Sequence, residues 1–560
     1  MNKKAEQPIE KSTGGPPALL LSGNSAMALG ALHGGVALGT GYPGTPSTEI
    51  LEYFSQIGGK GQWSPNEKVA LEVGIGVAYA GARALVTMKH VGVNVAADPL
   101  FSAAHTGVVG ALVVVSADDP GMASSQNEQD NRRYAVAAAV PMLEPSDSQE
   151  AYDFTLAAIE ISERWKIPVL LRVTTRICHT QAPVRPRAAV PPPMPHFEHD
   201  LRGRNLIPAN ARPAHRRLRQ KLAEMTEWSE LTPLNHIIPG SKKLGFITSG
   251  VSFMHAREAA PDASFLKLGF THPLPLKKIT EFVRSVERCV VLEEGDPYLA
   301  DAIRAAGLTV ESKPESFRFG ELNVDRVRRI LAHDASPEPA RPPGKPPELC
   351  DGCSHHVVFQ ALKHLDCIVA GDIGCYALGV LPPYSAMDCC VCMGSSIGIG
   401  LGLRHVLPPA EARRVVSVIG DSTFVHSGMT GLAEMIYNPP PTGHVVVILD
   451  NSTTAMTGHQ EHPGTGRTLD HAATGKVVYE DLGRALGIEK VHVLPLGKEC
   501  AEFEQLLRES LASGKLVLIV ARRACVLAAK SIREYEKLNE QAGLSGNCGS
   551  CTMSPAEVAI

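Results

Sequence analysis

The sequence has no long apolar runs, no strong net charge and few aromatic residues for its length. No stretch approaches about 18 uninterrupted apolar residues, the length that crosses a membrane, so we expect no membrane span. Lysine and arginine total 54 against 58 acidic residues, a balance that is not typical of a nucleic-acid binder. Aromatics make up 5% beside 51 glycines, which favours an α/β protein in which backbones approach closely.

The N-terminus also lacks the apolar core of a signal peptide. Residues 1–17 are polar and rich in glycine and proline, so we expect a disordered N-terminus and a cytoplasmic protein. The full 560 residues allow three to four domains of about 150 residues each. The 13 cysteines are not expected to form disulfides in such a chain; we expect buried thiols, some of which bind metal or an iron-sulfur cluster.

Short β-branched runs alternate with helical stretches over most of the chain, which predicts doubly wound parallel sheets and an α/β fold. We expect a helix over 150–165 and strands at 111–115, 168–173, 244–248, 289–293, 415–419, 445–449 and 516–520. The predicted divisions are an α/β domain at 18–180, a Pro/Arg-rich linker with one basic helix at 181–242, a smaller α/β domain at 243–335, a hinge at 336–347, a third α/β domain at 348–528 and a tail at 529–560.

Two apolar strands of the third domain run into oxygen-bearing side chains. One is followed by Asp421 and the other leads to Asn451, 30 residues later. Ligands of doubly wound sheets bind at strand carboxyl ends, and these oxygens with a backbone carbonyl near Thr453 suit Mg²⁺ and a diphosphate. Each segment alone is an ordinary turn sequence. Together, at this spacing, they indicate a thiamine diphosphate motif, with Ser422 where glycine is more usual.

A thiamine diphosphate enzyme also needs a glutamate that protonates N1′ of the aminopyrimidine ring. This glutamate should come from another α/β unit. We assign it to Glu72, which we expect to open a glycine- and alanine-rich helix within residues 66–81, and Glu67 is the competitor. Either carboxylate could instead only complement the positive end of a helix.

The ordered set of motifs resembles one family. It comprises residues 42–48 (YPGTPST), the helix of Glu72, 88–100 (MKHVGVNVAADPL), 124–132 (SSQNEQDNR), 371–376 (GDIGCY), 420–426 and 449–460. From about residue 18 to residue 528 the chain resembles the large (alpha) subunit of 2-oxoacid:ferredoxin oxidoreductases, of the type that acts on aryl 2-oxoacids such as indolepyruvate.

The resemblance implies a thiamin-diphosphate-binding fold with a pyrimidine-binding domain, a transketolase C-terminal-like domain and a diphosphate-binding domain. It implies that an aryl 2-oxoacid, CoA and oxidised ferredoxin or another acceptor give aryl-acetyl-CoA, CO₂ and reduced acceptor. It places Glu72 at N1′, Thr45 beside the keto acid, and Mg²⁺ on Asp421, Asn451 and the Thr453 carbonyl. The predicted cofactor-binding set is completed by Gly374, Tyr376, Gly420 and Ser422. A smaller second (beta) subunit is also implied. We expect at least a dimer of heterodimers, with no nucleic acid or membrane as partner.

Four cysteines offer an electron path. Four thiolates suit a [4Fe-4S] cluster, and the family's order of a CxxC, a Gly-Cys and a late cysteine matches Cys350, Cys353, Cys375 and Cys525. A zinc site on the CxxC, or buried unliganded thiols, are the alternatives. A further group, Cys389, Cys390 and Cys392, is expected to pack as small apolar residues, although one of them could replace Cys375.

The chain departs from the family at its C-terminus. Related subunits end in a ferredoxin-like module with two C-x-x-C-x-x-C sets, whereas this chain has only Cys548 and Cys551. Two cysteines cannot hold a four-iron cluster alone, so we expect a disordered tail, with metal binding across an oligomer interface as the alternative. A partner subunit or a different acceptor then completes the electron route. A non-oxidative thiamine decarboxylase or carboligase, or a non-catalytic scaffold subunit, remain alternative functions.

Three basic side chains could face the substrate. Lys89, His90 and Arg132 are candidates for its carboxylate or its aryl pocket, and His90 is included among the predicted catalytic residues. A cation is needed near the carboxylate until CO₂ leaves, and arginine offers a bidentate grip. Each could instead be a satisfied core or surface group.

Overall fold

The computed structural model describes residues 17–339, 347–497 and 500–541. The predicted disordered N-terminus, apart from residue 17, lies outside the described residues, as do part of the hinge and the tail segment with Cys548 and Cys551. The chain forms two compact units, Met1–Ala340 and Arg341–Ile560. None of the described helices combines the length and apolar character that a membrane span requires.

The first unit contains a seven-stranded sheet, a five-stranded sheet and a two-stranded sheet. Its described strands, β1 to β14, are Leu19–Ser22, Leu38–Gly41, Gly61–Trp63, Ala84–Lys89, Leu112–Asp118, Met142–Leu143, Val169–Thr174, Gln181–Val184, Asn235–Ile238, Ser241–Thr248, Ala263–Leu268, Phe270–His272, Cys289–Leu292 and Glu311–Ser312. Its described helices, α1 to α13, are Gly23–His33, Thr48–Gln56, Glu67–Tyr79, His90–Val95, Ala97–Thr106, Arg132–Ala138, Ser148–Trp165, Thr175–His179, Pro208–Leu231, Gly250–Ala259, Leu276–Ser285, Tyr298–Ala305 and Val324–Leu331. A 3-10 turn lies at Glu315–Phe317.

The two-stranded sheet pairs β1 with β8 in antiparallel orientation. The seven-stranded sheet has the order β12-β6-β7-β5-β4-β2-β3. Its strands run parallel except β12, which pairs antiparallel with β6. The central strands β4, β5 and β7 are buried along their whole length, as expected for parallel strands that helices cover on both faces. The strands predicted at 111–115 and 168–173 and the helix predicted at 150–165 are confirmed as β5, β7 and α7.

The five-stranded sheet has the order β14-β13-β10-β11-β9. The strands predicted at 244–248 and 289–293 are confirmed as β10 and β13. The predicted linker contributes the edge strand of this sheet, β9, which pairs antiparallel with β11. The linker also contains the 24-residue helix α9. The exposed side of α9 is basic, and its buried residues include Ala214, Leu218 and Met225. The segment 181–242 is therefore partly structural, because its short strand and apolar stripe complete neighbouring layers.

The second unit has one sheet in which every strand is parallel, with the order β15-β16-β17-β19-β18. Its strands β15 to β19 are Ile368–Ala370, Val415–Gly420, His444–Asp450, Lys490–Pro495 and Leu516–Arg522. Its described helices, α14 to α21, are His355–His364, Ser395–Val406, Pro409–Ala412, Asp421–Thr423, Met429–Tyr437, Tyr479–Ala485, Ala501–Ala512 and Ala529–Gln541. A 3-10 helix lies at Cys375–Val380 and a π-helical turn at Phe424–Gly428.

Alternate residues of β16 and β17 enter two separate cores, one with α14 and α20 and the other with α15 and α18. This is the doubly wound arrangement, and it confirms the predicted strands at 415–419, 445–449 and 516–520 as β16, β17 and β19. Since β15, β16, β17 and β19 are neighbours and parallel, the segments that follow them start at one edge of the sheet.

Candidate functional site

The predicted metal residues lie together at the carboxyl edge of the second unit. Asp421 follows β16 and its Oδ2 accepts the backbone N–H of Ser452 at 2.8 Å, beside Asn451 at the end of β17. The Thr454 hydroxyl donates to Ser422 Oγ at 2.9 Å. These two contacts join the loops after β16 and β17, so the structure brings together the halves of the predicted motif.

The loop after β15 meets the same edge. The hydroxyl groups of Tyr376 and Thr423 both donate to the carbonyl of Ile373, each at 2.9 Å. A Cβ on Gly420 would lie 2.6 Å from Tyr376 Cε1, so the tyrosine ring lies directly against the end of β16. The structure thus places Tyr376 and Gly420 in contact, as expected for one binding wall.

Several residues of this edge were not predicted. His462 is buried, its Nε2 lies 3.4 Å from Asp421 Oδ2, and this nitrogen has no hydrogen-bond partner among the described residues. Asp450 lies beside Asp421, and burial together with that neighbouring charge raises the pKa of Asp450. Its other strong contact is Arg522, whose Nε donates to Asp450 Oδ2 at 2.6 Å. Sequence spacing could have suggested Asp450, but nothing in the sequence locates His462 beside Asp421.

Asp372 is a second buried carboxylate of this edge that the sequence did not single out. It accepts backbone N–H groups of Gly394 at 2.8 Å and of Ser396 at 3.0 Å, at the start of α15. Burial raises the pKa of Asp372 against these hydrogen bonds. The carboxylate therefore fixes the loop after β15 to the start of α15.

The donor set at this edge fits a hard divalent cation. Asp421 supplies a buried carboxylate and Asn451 supplies an amide oxygen. His462 Nε2, which has no hydrogen-bond partner in the described part of the chain, lies buried 3.4 Å from Asp421 Oδ2. Oxygen ligands beside a diphosphate are the usual environment of Mg²⁺. The residues present therefore fit the predicted metal and its diphosphate.

The four predicted cluster cysteines form one electrostatic group. Burial, followed by the neighbouring Cys525, Cys353 and Cys350 thiolates, raises the pKa of Cys375 to about 11. Burial and the same kind of neighbours, Cys350 and Cys525, raise the pKa of Cys353. We call the carboxyl edge with Asp421 and Asn451 the metal edge. The loop of Cys525 is attached to it, since the Cys525 N–H donates to the Asn451 carbonyl at 2.9 Å.

The four predicted thiols are not spaced as the ligands of a single ion. Within the described part of the chain, the one group of three or more metal-binding side chains whose ligand atoms lie within 4.8 Å of one another is His364, Cys500 and Glu504. The four predicted thiols are therefore more widely spaced than the ligands of one zinc ion. In a [4Fe-4S] cluster each thiolate binds a different iron, and the donor set fits that group.

The second group of cysteines is separate. The thiol of Cys390 donates to the Asp372 carbonyl at 3.4 Å, and its charged neighbours are Asp372, Cys389 and Cys392. Cys390 and Cys392 are exposed. The prediction that these residues pack as small apolar side chains is wrong for these two, because the loop before α15 leaves them at the surface.

In the first unit, the helix with the predicted catalytic glutamate begins earlier than expected. α3 starts at Glu67, after Asn66, whose side chain caps the helix by accepting the N–H of Val69 at 2.9 Å. Glu67 is 4% exposed, and a Cβ on Gly92 would lie 2.6 Å from its Oε1. The expectation that Glu72 opens the helix is therefore wrong.

Glu72 lies on another face of α3. Five residues at about 100° each turn it roughly 140° away from Glu67. Its side chain is 45% exposed and is paired with Lys68, one turn earlier. The helix thus directs one carboxylate into the interior beside α4 and the other towards solvent.

Thr45 is half-buried in the loop that joins β2 to α2. The loop is held by its own polar groups, since the Thr48 hydroxyl accepts the Gly44 N–H at 2.9 Å and the Ser47 hydroxyl donates to the Gly44 carbonyl at 2.8 Å. β2 and β4 are parallel neighbours. Thr45 therefore lies at the same sheet edge as Lys89, at the end of β4.

His90 is fully buried at the start of α4. Its Nε2 lies 3.2 Å from the Asn127 carbonyl, whereas Nδ1 has no hydrogen-bond partner among the described residues. The side chain of Asn131 donates to the His90 carbonyl at 2.9 Å and fixes this turn. Burial lowers the pKa of His90, so the ring is neutral at pH 7.

Arg132 is a structural residue. Its guanidinium is fully buried and donates to Asp130, to Glu293 at 2.6 Å, and to the carbonyls of Glu294 and Asp296 at 2.6 and 2.8 Å. Burial opposes the charged form of Asp130, but Arg132 holds the pKa of that carboxyl below its usual range. The candidacy of Arg132 for the substrate carboxylate is wrong, because its donors already join α6 to the loop after β13.

We expect Arg132→Met to destabilise the protein by about 3–5 kcal/mol, because it leaves the buried Asp130 and Glu293 carboxylates without their cation. The neighbouring Arg133→Met is the matched control. Arg133 is 51% exposed and paired with Asp301, and such surface pairs are worth about 0–1 kcal/mol. Urea unfolding of both variants measures the difference, and equal stability would contradict the structural role of Arg132.

Comparisons with known families agree with this geometry. The family described as thiamine pyrophosphate enzyme, C-terminal TPP binding domain, matches residues 372–521. The family described as pyruvate flavodoxin/ferredoxin oxidoreductase, thiamine diphosphate-binding, matches residues 29–227. The first range contains the metal edge and the second contains the edge with Thr45, Glu67 and Lys89. The two matches define the class of protein, a thiamine diphosphate-dependent 2-oxoacid oxidoreductase.

Full-length relatives identify the branch within this class. The chain is 37% identical to the indolepyruvate oxidoreductase subunit IorA of Archaeoglobus fulgidus, over 96% of this chain and 92% of that protein. It is 38% identical to the subunit of the same name from Methanothermobacter marburgensis, over 92% and 88% of the two chains. Among solved structures, 2-oxoglutarate:ferredoxin oxidoreductase from Magnetococcus marinus is 16% identical, with a TM-score of 0.48 over 57% and 65% of the two chains. The chain belongs to the family of indolepyruvate oxidoreductase subunit IorA, which confirms the resemblance inferred from the motifs.

Proposed function

We propose that this chain catalyses the oxidative decarboxylation of an aryl 2-oxoacid of the indolepyruvate or phenylpyruvate type. The 2-oxoacid anion, CoA and two oxidised one-electron acceptors give the aryl-acetyl-CoA, CO₂, a proton and two reduced acceptors. The observation that carries the proposal is the 37% identity to an indolepyruvate oxidoreductase subunit over 96% of the chain. The four-thiol group of the second unit supports the electron-transfer part.

In this proposal the second unit holds the diphosphate of the cofactor. Asp421, Asn451 and the Thr453 carbonyl bind Mg²⁺, which neutralises diphosphate charge. The walls of the site are formed by Gly374, Tyr376, Gly420 and Ser422. Thiamine diphosphate, when bound, supplies the electron sink for decarboxylation. The chain's own residues orient it, and the contacts between the loops after β15, β16 and β17 support that role.

We assign the proton partner of N1′ to Glu67 in place of Glu72. A carboxylate can exchange a proton with a ring nitrogen only where it is directed at that nitrogen, and exclusion of water strengthens the interaction. Glu67 is buried at the carboxyl edge of the sheet, whereas Glu72 faces solvent with Lys68. Thr45 and the buried His90 remain proposed substrate-facing residues of the same edge.

Cys350, Cys353, Cys375 and Cys525 would hold a [4Fe-4S] cluster, which would supply one-electron transfer to ferredoxin or another acceptor. The relatives are named as subunits, which supports a second subunit. We propose that this partner is the smaller (beta) subunit and that the assembly is at least a dimer of heterodimers. None of the 11 described cysteines forms a disulfide, which is consistent with the cytoplasmic location that we propose.

The proposal is tested by anaerobic turnover of the native complex with indolepyruvate, CoA and methyl viologen. We expect indoleacetyl-CoA and two reduced viologens for each CO₂. We also expect a preference over pyruvate of at least about 10-fold, because a pocket that fits an aryl group loses that apolar contact with pyruvate. Release of an aldehyde without CoA or viologen reduction would instead indicate the non-oxidative decarboxylase. A preference for pyruvate would overturn the aryl assignment.

A further inference from the structure

Lys89 lies at the end of β4, on the sheet edge where doubly wound proteins bind ligands. Its side chain runs along Gly44. A Cβ on Gly44 would lie 2.9 Å from Lys89 Cβ and 3.7 Å from its Cδ, so a larger residue at position 44 would displace the lysine. The loop that carries Thr45 is therefore shaped to admit the lysine side chain beside it.

The ammonium group of Lys89 is buried with neutral partners. The residue is 8% exposed, and its Nζ donates to the Ser124 carbonyl at 2.7 Å and to the Ser124 hydroxyl at 3.2 Å. An ammonium group has three donors, so one remains for another acceptor. Burial lowers the pKa of Lys89 to about 8, although the charge of Asp119 opposes this shift. A buried cation with neutral partners is stabilised by an incoming anion.

Asp119 does not supply that anion directly, because its carboxylate is engaged elsewhere. Oδ2 accepts the Ser124 N–H at 2.8 Å and the Ser125 hydroxyl at 2.5 Å. Oδ1 accepts the Thr175 hydroxyl at 2.9 Å. Within the described residues no ion pair of 4.0 Å or less joins Asp119 to Lys89. The aspartate holds the loop after β5 in place and leaves the ammonium group open to a ligand.

Two other lysines of this unit are equally buried but are differently placed. Lys267 is ion-paired with Glu150. Lys313 donates to the Gly295 carbonyl at 2.6 Å and lies near the charge of Glu293. Lys267 has a carboxylate in direct contact, and Lys313 follows β14 in the five-stranded sheet, whereas Lys89 ends a strand of the sheet that carries the Thr45 loop.

We propose that Lys89 binds the carboxylate of the 2-oxoacid substrate and gives the enzyme its preference for an anionic ligand. This inference rests on the proposed function. Of the three basic residues that the sequence singled out, Arg132 has its donors occupied by Asp130 and Glu293, and His90 is a buried neutral ring. Lys89 is the cation that remains beside the Thr45 loop.

The test compares a charged probe with a neutral probe of the same shape. Indole-3-acetate and indole-3-acetamide are titrated calorimetrically into the holoenzyme. We expect the wild type to prefer the acetate by roughly 10- to 100-fold, the usual value of a hydrogen bond to a charged group. Lys89→Gln should lose this preference and Lys89→Arg should retain most of it. The control Lys60→Gln, at an exposed lysine of the same unit, should behave as the wild type.

The ratio of the two affinities separates binding from a merely structural role. If Lys89 only anchored the loop through Ser124, Lys89→Gln would weaken both probes equally, and an unchanged ratio overturns the proposal. The wild-type preference should also fall above about pH 8, as the ammonium loses its proton in the presence of its charged and titratable neighbours Asp119 and His90. Lys89→Gln should show no such fall. A wild type that binds neither probe would overturn the aryl 2-oxoacid function itself, and this inference with it.

Discussion

Glu67→Gln is expected to lower turnover by about 10²- to 10⁴-fold, the range lost when a positioned acid-base group is removed. The glutamine keeps the shape of the side chain but cannot exchange a proton with N1′. Because Glu67 is buried against α4 at the first turn of α3, no solvent carboxylate replaces it. Anaerobic turnover with an aryl 2-oxoacid measures the loss. Calorimetry with thiamine diphosphate and Mg²⁺ should show that the cofactor still binds.

Glu72→Gln is the matched control for this experiment. It makes the same chemical change five residues further along the same helix, at a side chain that is 45% exposed and paired with Lys68. A surface pair of this kind contributes about 0–1 kcal/mol, so turnover should remain within about twofold of the wild type. An inactive Glu72→Gln beside an active Glu67→Gln would return the catalytic role to Glu72 and overturn our assignment.

The choice between these glutamates shows how far the sequence could be interpreted. The apolar strands β5, β7, β16 and β17 were predictable because buried parallel strands are uninterrupted runs of valine, leucine and isoleucine. The start of α3 was also marked in the sequence, since asparagine before a helix is a strong N-cap signal, and Asn66 caps it. That cap by itself places Glu67 in the first turn of α3 and Glu72 on another face.

Other features depend on contacts between distant segments. Arg132 binds Glu293, 161 residues away, and no local pattern distinguishes such an arginine from one that grips a substrate. His462 meets Asp421 through a long loop after β17. The short strand β12, at residues 270–272, joins a sheet whose other strands all lie before residue 175. Tertiary packing determines these features, and residue type alone does not.

The order of the cysteines and the family resemblance predicted the four-thiol group. The second large effect is expected there, as a loss of iron when one of its thiols is removed. We expect the anaerobically purified chain to carry about four irons with matching acid-labile sulfide, as a [4Fe-4S] cluster requires. Cys375→Ser should lose most of this iron, the EPR signal of the reduced cluster and the reduction of methyl viologen. Cys375 is the appropriate position because its thiol responds electrostatically to the other three cysteines of the group.

Cys392→Ser is the control for that loss. Cys392 lies in the same unit but is exposed, and it belongs to the separate group with Cys389 and Cys390. Its iron content and EPR signal should match those of the wild type. Loss of iron in Cys392→Ser with retention in Cys375→Ser would show that the second group binds the cluster.

A wild type that binds thiamine diphosphate but contains no iron would favour the non-oxidative decarboxylase, because one-electron transfer would then lack its first acceptor. The backbone hydrogen bond from Cys525 to Asn451 joins the four-thiol group to the edge with Asp421, so neighbouring loops of the second unit would hold both the cluster and the diphosphate.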